Sequence, residues 1–384
     1  MHCRAAVPND NRPAITLPRA QSWPAPVLRS VKRTALSAMK TAGVFGRSGR
    51  SRWRKDRLLI LGYHGIAQYD EQQWDPALFI SAELFDSRLR FLKAQGFTIL
   101  SLDAALRHLR EGTLPERSVS LTFDDGYVDF YRIAHPILKI HKVPATVYLT
   151  TYYSEKNLPI PGITAAYMVW MSPHFVGPLK TIPSFGHIDL RHADARRQVS
   201  RLMGQYFTDE RTLPPPQKHE LLEALATELG FDLNEVRARR LMHLMSTDEA
   251  GDLARDGIDI QLHSHRHWVP EDENLVRSEI LDNRERIEAI TGRPAVHFCY
   301  PSGVHYPELL GWLRKLNVQS ATTCESGLAA ATDDPLMLPR FLDHSRVSQT
   351  EFEAWATGAL RAFPRRSAYT PPPRRADSQS AGTR

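Results

Sequence analysis

The chain has 384 residues, of which 42% are hydrophobic, so it can form one large or two medium domains with a well-filled core. Its net charge of +6 is unevenly distributed: residues 1–57 hold 13 Lys or Arg against two Asp, residues 361–384 hold six Arg against one Asp, and residues 58–360 carry a net charge of −10. Because a nucleic-acid-binding face needs clustered positive charge on the folded surface, the acidic middle of the chain argues against nucleic acid as a partner.

The cysteine content and the apolar runs bear on the compartment. The three cysteines, Cys3, Cys299 and Cys324, are too few for a disulfide framework and contain no Cys-x-x-Cys pair that would indicate a zinc cage. No run of about 18 apolar residues predicts a membrane span. Arg and Pro interrupt the apolar core that a secretory signal would need. We therefore expect a cytoplasmic protein.

The two ends of the chain differ in composition from its middle. Residues 1–25 and 361–384 are rich in Pro and Arg, which predicts disordered basic tails. Between residues 26 and 45, apolar and basic residues interleave, which predicts either a basic amphipathic helix on an anionic membrane surface or a solvated tail with some helical content. We therefore assign residues 1–57 to a basic N-terminal region that could contact the inner membrane surface peripherally.

Residues 58–360 alternate between predicted strands and predicted helices. Short apolar or alternating runs predict the strands, and apolar residues at helical spacing between capping residues predict the helices. The predicted strands cover residues 58–63, 97–100, 119–123, 145–149, 258–262, 296–300 and 320–323, and the predicted helices lie between Ser81 and Gly96 and at 102–110, 130–141, 246–255, 273–291 and 308–316. This repeated alternation predicts an α/β protein with a parallel sheet or barrel.

The segment 151–245 interrupts this alternation. Five prolines divide its first half, and its second half is helical, most clearly at residues 218–229. We predict a partly helical insertion into the barrel-like core. Its aromatic residues Trp170, Phe175 and Phe185 either line a substrate groove or pack the insertion onto the core.

Two adjacent carboxylates, Asp124 and Asp125, directly follow the predicted buried strand at 119–123. Neighbouring like charges in a low-dielectric setting resist joint ionisation. A bound cation, or a proton held on one carboxyl, would relieve that repulsion. The alternative is an ordinary Asp-Asp-Gly turn without chemistry.

Two histidines, His263 and His267, follow another predicted strand and are four residues apart. With sixteen histidines in the chain, this spacing alone is a weak signal. The position is more informative, because parallel α/β barrels build their active sites at the carboxyl ends of the strands. One carboxylate and two imidazoles form a zinc-type ligand set with an open coordination position, although the same set also suits iron oxygenases and the histidines could be purely structural. We expect His265 to face solvent or to lie outside the ligand set.

A third predicted strand ends in the sequence Tyr300-Pro-Ser-Gly303. Proline fixes φ and turns the chain sharply, so the backbone N–H that follows it can point into the site instead of pairing in the sheet. Such an N–H could donate to a developing oxyanion. The alternative is an ordinary turn at the end of a strand.

The motifs Thr122-Phe-Asp-Asp-Gly126, His263-Ser-x-x-His267 and Tyr300-Pro-Ser-Gly303, in this order, resemble those of the NodB-type polysaccharide deacetylases, carbohydrate esterase family four. Gly62-Tyr-His-Gly65 and Leu338-Pro-Arg340 are similar to the family's opening and closing segments, so the resemblance covers roughly residues 58–350. It implies a distorted (β/α) barrel. It also implies metal-dependent removal of N-acetyl or O-acetyl groups from an acetylated saccharide substrate.

The resemblance also implies roles for individual residues. Asp125, His263 and His267 would bind a divalent metal, with Zn²⁺ expected first, and Asp124 would be the general base. The metal would lower the pKa of a bound water, Asp124 would take its proton as it attacks the acetyl carbonyl, and the backbone N–H of Ser302 would share the oxyanion's charge. The two adjacent aspartates would then differ in role.

The sequence departs from the family pattern at two positions. The family often has an Arg where this chain has Cys299, and an aromatic residue where it has Ser302. For the general acid, His344 is the first candidate, with His64 as the other. The expected substrate-binding residues are Tyr300, Pro301 and Arg340.

Two other functions stay open from the sequence. The chain could hydrolyse a non-sugar C–N amide bond on the same scaffold with the same metal and base. It could also be a non-catalytic protein that binds a saccharide or a lipid-linked sugar, which Cys299 and the lack of a clear general acid would favour.

Overall fold

The computed structural model describes residues 26–208 and 215–362. Within these ranges, seven parallel strands form a closed ring in which each strand pairs with the next along the chain and the last pairs with the first. The strands are β1 (Arg57–Tyr63), β2 (Ser118–Phe123), β3 (Thr146–Leu149), β4 (Asp259–Leu262), β5 (His297–Cys299), β6 (Ser320–Ser326) and β7 (Leu338–Leu342). The barrel predicted from the alternation of strands and helices is confirmed.

The ring is irregular at two joins. A single residue pair, Leu262 with Phe298, connects β4 to β5, whereas five consecutive pairs connect β1 to β2. The pairing of β6 with β7 shifts register between Thr322 and Ser326. These two irregular joins distort the barrel.

Short strands extend the sheet or form separate pairs. Thr98–Ile99 pairs with β2, and Ala329–Ala330 pairs antiparallel with β1. The separate pairs are Gly65–Ile66 with Phe79–Ile80 and Val176–Pro178 with His187–Asp189.

Helices cover the outside of the barrel, and several of them begin at a capping residue that the sequence shows. Ser81 accepts a hydrogen bond from the N–H of Leu84, and Ser246 and Glu249 form the expected capping box. The helices are Glu71–Trp74, Ala82–Ala94, Leu102–Glu111, Phe130–Ala134 continuing as His135–His141, Thr247–Arg255, Glu273–Thr291, Pro307–Lys315 and Gln349–Ala356, with 3₁₀ turns at Pro301–Gly303 and Ala359–Ala362.

The N-terminal region is helical over most of its described part, in the segments Pro26–Thr41, Val44–Gly49 and Arg52–Lys55. Leu36 and Phe45 are buried in an apolar cluster that includes residues near the end of the chain. Of the two alternatives predicted for residues 26–45, an amphipathic helix or a solvated tail, the structure has a helix at Pro26–Thr41, and the rest of the protein covers its Leu36 side chain. Residues 1–25 and 363–384 lie outside the described residues.

Charged side chains also attach this region to the barrel. Lys32 and Lys40 form ion pairs with Glu351 and Glu353, and the guanidinium of the fully buried Arg54 donates to three backbone carbonyls. Peripheral membrane contact stays a prediction. In the first helix, Leu36 packs against the protein itself, whereas Val31 is 60% exposed. Among the described helices, none is long and apolar enough to cross a membrane.

The insertion forms a second apolar cluster, which also includes Trp74, Phe79 and Tyr127 from outside the insertion. The elements of the insertion are the helices Thr151–Lys156, Pro161–Trp170, Ala193–Thr208, Pro215–Leu229 and Leu233–Arg239, the strand pair at 176–189 and a 3₁₀ turn at Pro183–Phe185. Phe185 is buried in this cluster, and Trp170 and Phe175 pack against it. None of the three lines the cavity described below, so these aromatic residues pack the insertion rather than form a groove.

Candidate active site

The two aspartates lie where β2 ends at the carboxyl end of the barrel. The N–H of Asp124 still donates to the carbonyl of Tyr63 on β1, over 2.8 Å, and the chain then turns at Asp125 and Gly126 with φ of +67° and +87°. A Cβ on Gly126 would lie 2.4 Å from Leu149, so the turn requires glycine both for its backbone angle and for space. The turn presents both carboxylates at the mouth of the barrel.

Asp125, His263 and His267 form a cluster whose ligand atoms all lie within 4.8 Å of one another. The Nε2 atoms of His263 and His267 lie 3.1 Å and 3.2 Å from the same oxygen, Oδ1 of Asp125. Nδ1 of His263 donates to the carbonyl of Cys299 over 2.9 Å, which leaves Nε2 as an electron pair facing the carboxylate. Such electron-rich atoms need a cation or a proton between them, so this donor set fits a divalent metal.

The charge state of Asp125 follows from the same contacts. Burial acts to raise the pKa of this carboxyl, but its close contacts with His267 and His263 outweigh that effect and hold the pKa well below its usual range. Asp125 is therefore an anionic ligand at neutral pH.

Four non-glycine residues of the site have left-handed backbone conformations. The φ angles are +67° at Asp125, +59° at Ser264, +60° at His267 and +54° at Ser302. Such conformations cost about 1–3 kcal/mol each and persist only where the surrounding structure holds them. Four such residues in one site indicate that tertiary contacts hold the backbone there in conformations that these residues do not favour on their own.

Asp124 is buried and held by Arg340 from β7. The guanidinium bonds both carboxylate oxygens, with Nη1 to Oδ1 at 2.7 Å and Nη2 to Oδ2 at 2.8 Å. Its other donors reach Thr323, Thr122 and the Sγ of Cys299, so all five N–H groups have acceptors. Burial acts to raise the pKa of Asp124, but Arg340 outweighs it and lowers the pKa below its usual value.

This arrangement differs from the role expected of Arg340. The side chain is fully buried and does not line the cavity, so it contacts Asp124 rather than a substrate. The guanidinium lies 3.2 Å from Cys299, the position where the resembling family often has its arginine. The absence of Arg at 299 is therefore compensated by an arginine from a different strand.

The segment after β5 forms one wall of the site. Tyr300, Pro301 and Ser302 all line the cavity, and the phenol of Tyr300 donates to the carbonyl of Leu336 over 2.8 Å, inside the protein. Ser302 is exposed at the turn. The structure therefore places the three residues where the sequence predicts them, with only the Tyr300 hydroxyl directed to the protein.

The remaining histidines separate into different environments. His64 lines the cavity, with Nε2 3.6 Å from Oδ2 of Asp124. His344 does not line it, its Nδ1 accepts from the N–H of Arg346, and burial lowers the pKa of its imidazole to about 4. His265 is buried beside Thr151 rather than exposed, and it is not one of the three clustered ligands.

The cluster opens into a cavity of about 2140 Å³. One wall comes from the loops that follow β4 and β5, including Trp268 and Tyr306, and the other from the insertion, including Ile163 and Phe207. Small-molecule pockets usually measure about 300–1,000 Å³, so this cavity can hold a substrate much larger than a single sugar.

The chain is similar to known sequences and structures. The sequence profile named Polysaccharide deacetylase matches residues 111–321, which is more than half of the chain. The chain belongs to the polysaccharide deacetylase family.

Curated relatives of this chain carry more specific names. The chain is 37% identical over 117 residues to the poly-beta-1,6-N-acetyl-D-glucosamine N-deacetylase of Staphylococcus aureus (strain MSSA476), which covers 28% of the chain and only 40% of that protein. It is 29% identical over 216 residues to the protein of the same name from Staphylococcus epidermidis, which covers 48% of the chain and 75% of that protein. The first of these matches therefore spans less than half of the relative's length.

Among solved structures, the Streptococcus pyogenes deacetylase PplD in complex with acetate is similar with a TM-score of 0.51 and 19% identity. The match covers 77% of this chain and 96% of that one. At this identity the likeness supports the fold, and it agrees with the distorted (β/α) barrel.

Proposed function

We propose that this polysaccharide deacetylase removes N-acetyl groups from a polysaccharide that contains N-acetylhexosamine. The observation that carries the proposal is the cluster of Asp125, His263 and His267 beside a second, buried aspartate that Arg340 orients, at the mouth of a large cavity. The names of the staphylococcal relatives support a polymer of N-acetylglucosamine as the first substrate to test.

The metal would be held by Asp125, His263 and His267. A divalent cation there, with Zn²⁺ the best match to two imidazoles and one carboxylate, would lower the pKa of a bound water towards neutrality. The hydrogen bond from Nδ1 of His263 to Cys299 keeps Nε2 available as a ligand. The low pKa of Asp125 keeps its carboxylate available in the same way.

The chain's own groups would carry the proton transfers. Asp124 takes a proton from the attacking water, and its carboxylate retains acceptor capacity because two oxygens offer about four lone-pair sites and Arg340 uses two. The backbone N–H of Ser302 donates to the oxygen of the acetyl group as negative charge develops there. His64 donates a proton to the leaving nitrogen, so that the C–N bond breaks to give acetate and a free amine.

Of the two histidines considered as general acid, the geometry favours His64. It lines the cavity beside Asp124, while His344 stands outside the lining and is held neutral by burial at pH 7. A general acid must reach the atom that it protonates.

The same observations weigh against the two alternatives. The buried Arg340 orients the base, Asp124, as an arginine at position 299 would, and His64 can serve as the acid. Cys299 and the lack of a clear acid therefore no longer favour a non-catalytic protein. The volume of the cavity favours a polymeric substrate over a small non-sugar amide.

The test is release of acetate from N-acetylglucosamine oligomers of increasing length, measured against small cyclic amides. We expect turnover of the oligomers that rises with length, is lost after chelation and returns when Zn²⁺ is added. Turnover of the cyclic amides alone would instead establish the amide hydrolase, and oligomer binding without acetate release by the metal-loaded protein would establish the non-catalytic alternative.

A further inference from the structure

The two metal-binding histidines belong to one short segment, residues 263–267, called here the histidine loop. It contains two left-handed residues, Ser264 and His267, with φ of +59° and +60°. A loop with two such residues relaxes to other conformations unless tertiary contacts oppose it, because each left-handed residue costs about 1–3 kcal/mol. The conformation that aligns the two Nε2 atoms must therefore be imposed from outside the loop.

The first of these contacts comes from Asn283 on the helix Glu273–Thr291. Its Oδ1 accepts the N–H of His263 over 2.9 Å, and its Nδ2 donates to the carbonyl of Leu149 over 2.9 Å and to Oγ1 of Thr151 over 3.0 Å. The side chain is fully buried. One amide thus joins the carboxyl ends of β3 and β4 and fixes the first metal-binding histidine.

The second contact comes from Glu279, one helical turn earlier. Its Oε2 accepts the N–H of Arg266 over 2.8 Å, and its Oε1 pairs with the guanidinium of the same residue over 2.6 Å. Its backbone carbonyl accepts the N–H of His265 over 3.1 Å. These bonds hold the loop immediately before His267, the second metal-binding histidine.

We propose that Asn283 and Glu279 are positioning residues that set the metal affinity of the site by holding the histidine loop in its strained conformation. In the described part of the chain neither side chain lines the cavity or belongs to the ligand cluster, so both act through His263 and His267. The inference rests on the proposed function only in taking Asp125, His263 and His267 as the metal site.

The first test compares Asn283→Leu with Gln261→Leu, using the full chain freed of metal. Gln261 is also a buried amide, its oxygen accepts from the N–H groups of Val296 and His297, and its nitrogen donates to Asp259, so its loss removes similar bonds without touching the histidine loop. Zn²⁺ affinity is measured by competition with a chromophoric chelator, and the absorption spectrum of bound Co²⁺ reports ligand geometry.

We expect Asn283→Leu to weaken Zn²⁺ binding by about 10–100-fold and to alter the Co²⁺ spectrum. The Zn²⁺ affinity of Gln261→Leu should stay within about threefold of the wild-type affinity, even if its melting temperature falls as much as that of Asn283→Leu. Equal Zn²⁺ affinity of folded Asn283→Leu and the wild type would overturn the assignment of Asn283.

The second test uses Glu279, for which a conservative replacement, Glu279→Gln, is available. This test decides the proposal if Asn283→Leu does not fold. Glu279→Ala removes the acceptor for the N–H of Arg266, and we expect about tenfold weaker Zn²⁺ binding or more. Glu279→Gln retains an acceptor oxygen at that position and should restore the affinity to within about threefold of the wild type.

Equal affinities for Glu279→Ala, Glu279→Gln and the wild type would refute the role of Glu279. Because Zn²⁺ binding is measured without substrate, the outcome is independent of deacetylation. A wild-type protein that binds no Zn²⁺ contradicts the proposed function itself, whereas a wild type that binds Zn²⁺ with unaffected variants contradicts only this inference.

Discussion

Replacement of Arg340 by Met tests how the base is controlled. In the wild type the guanidinium bonds both oxygens of Asp124 inside the barrel, at 2.7 Å and 2.8 Å. Removing one partner of a buried pair leaves an uncompensated charge and typically costs about 3–5 kcal/mol. We therefore expect Arg340→Met to lower the free energy of unfolding by about that amount at neutral pH.

The pH dependence of this loss has a defined sign. Burial acts to raise the pKa of Asp124 and Arg340 reverses the effect, so in the variant the pKa should rise above the value in the unfolded chain. Stability of the variant should then increase as the pH falls and Asp124 becomes protonated, whereas in the wild type the contribution of the low pKa is lost as the pH falls. The acid limb of the pH profile of acetate release should move to higher pH.

Arg88→Met is the matched control. Arg88 is also fully buried, bonds Asp343 at 3.1 Å and donates to the carbonyl of Val347 at 2.7 Å, away from the cavity lining. Burial raises the pKa of Asp343 to about 6, so denaturant unfolding is compared at pH 8, where Arg88→Met should show a comparable loss of stability. The acid limb of the pH profile of acetate release should not shift in this variant. If Arg340→Met keeps the wild-type pH profile and turnover, the reasoning about Asp124 is refuted.

Three further predictions concern single residues of the site. Zn²⁺ at about 100 times its dissociation constant should raise the free energy of unfolding of the wild type by about 2.7 kcal/mol, measured as a rise in melting temperature. An equal rise in the melting temperature of His267→Ala on adding Zn²⁺ would contradict the ligand assignment. His64→Ala should lower kcat by about 10²–10⁴-fold while His344→Ala stays near the wild type in the same acetate assay, and the reverse order would restore His344 as the acid. Gly126→Ala should lower the free energy of unfolding by about 1–3 kcal/mol, because its φ is +87° and the added Cβ meets Leu149, and denaturant unfolding that matches the wild type would show that the turn adapts.

The sequence is informative about the site where chemistry coincides with a strand end. Asp124 and Asp125 follow one apolar strand and His263 and His267 another, and a closed parallel barrel necessarily brings such strand ends to one mouth. The spacing alone is weak, since a chain with sixteen histidines contains such pairs by chance. The strand context and the motif order carried the prediction.

The contact between Arg340 and Asp124 could not be predicted from the sequence. It joins residues 216 positions apart and depends on β7 closing against β1, which no local pattern specifies. An arginine inside the apolar strand Leu338–Leu342 was the available signal, because a buried cation requires a partner.

The N-terminal region shows the other limit of sequence reasoning. Its composition resembles that of a disordered basic tail, but Leu36, Phe45 and Arg54 are buried against distant parts of the chain. Composition describes how a segment behaves alone, whereas tertiary burial decides whether it is ordered. The four left-handed residues of the site escape prediction for the same reason.

The role of Asp124 as the base is tested by acetate release from N-acetylglucosamine oligomers by the wild type and by Asp124→Asn, with metal content determined on both proteins. We predict that Asp124→Asn retains its metal, because Asp125, His263 and His267 are unchanged, and loses about 10²–10⁴-fold in turnover. Undiminished acetate release by the metal-loaded variant would contradict the assignment of Asp124 as the base.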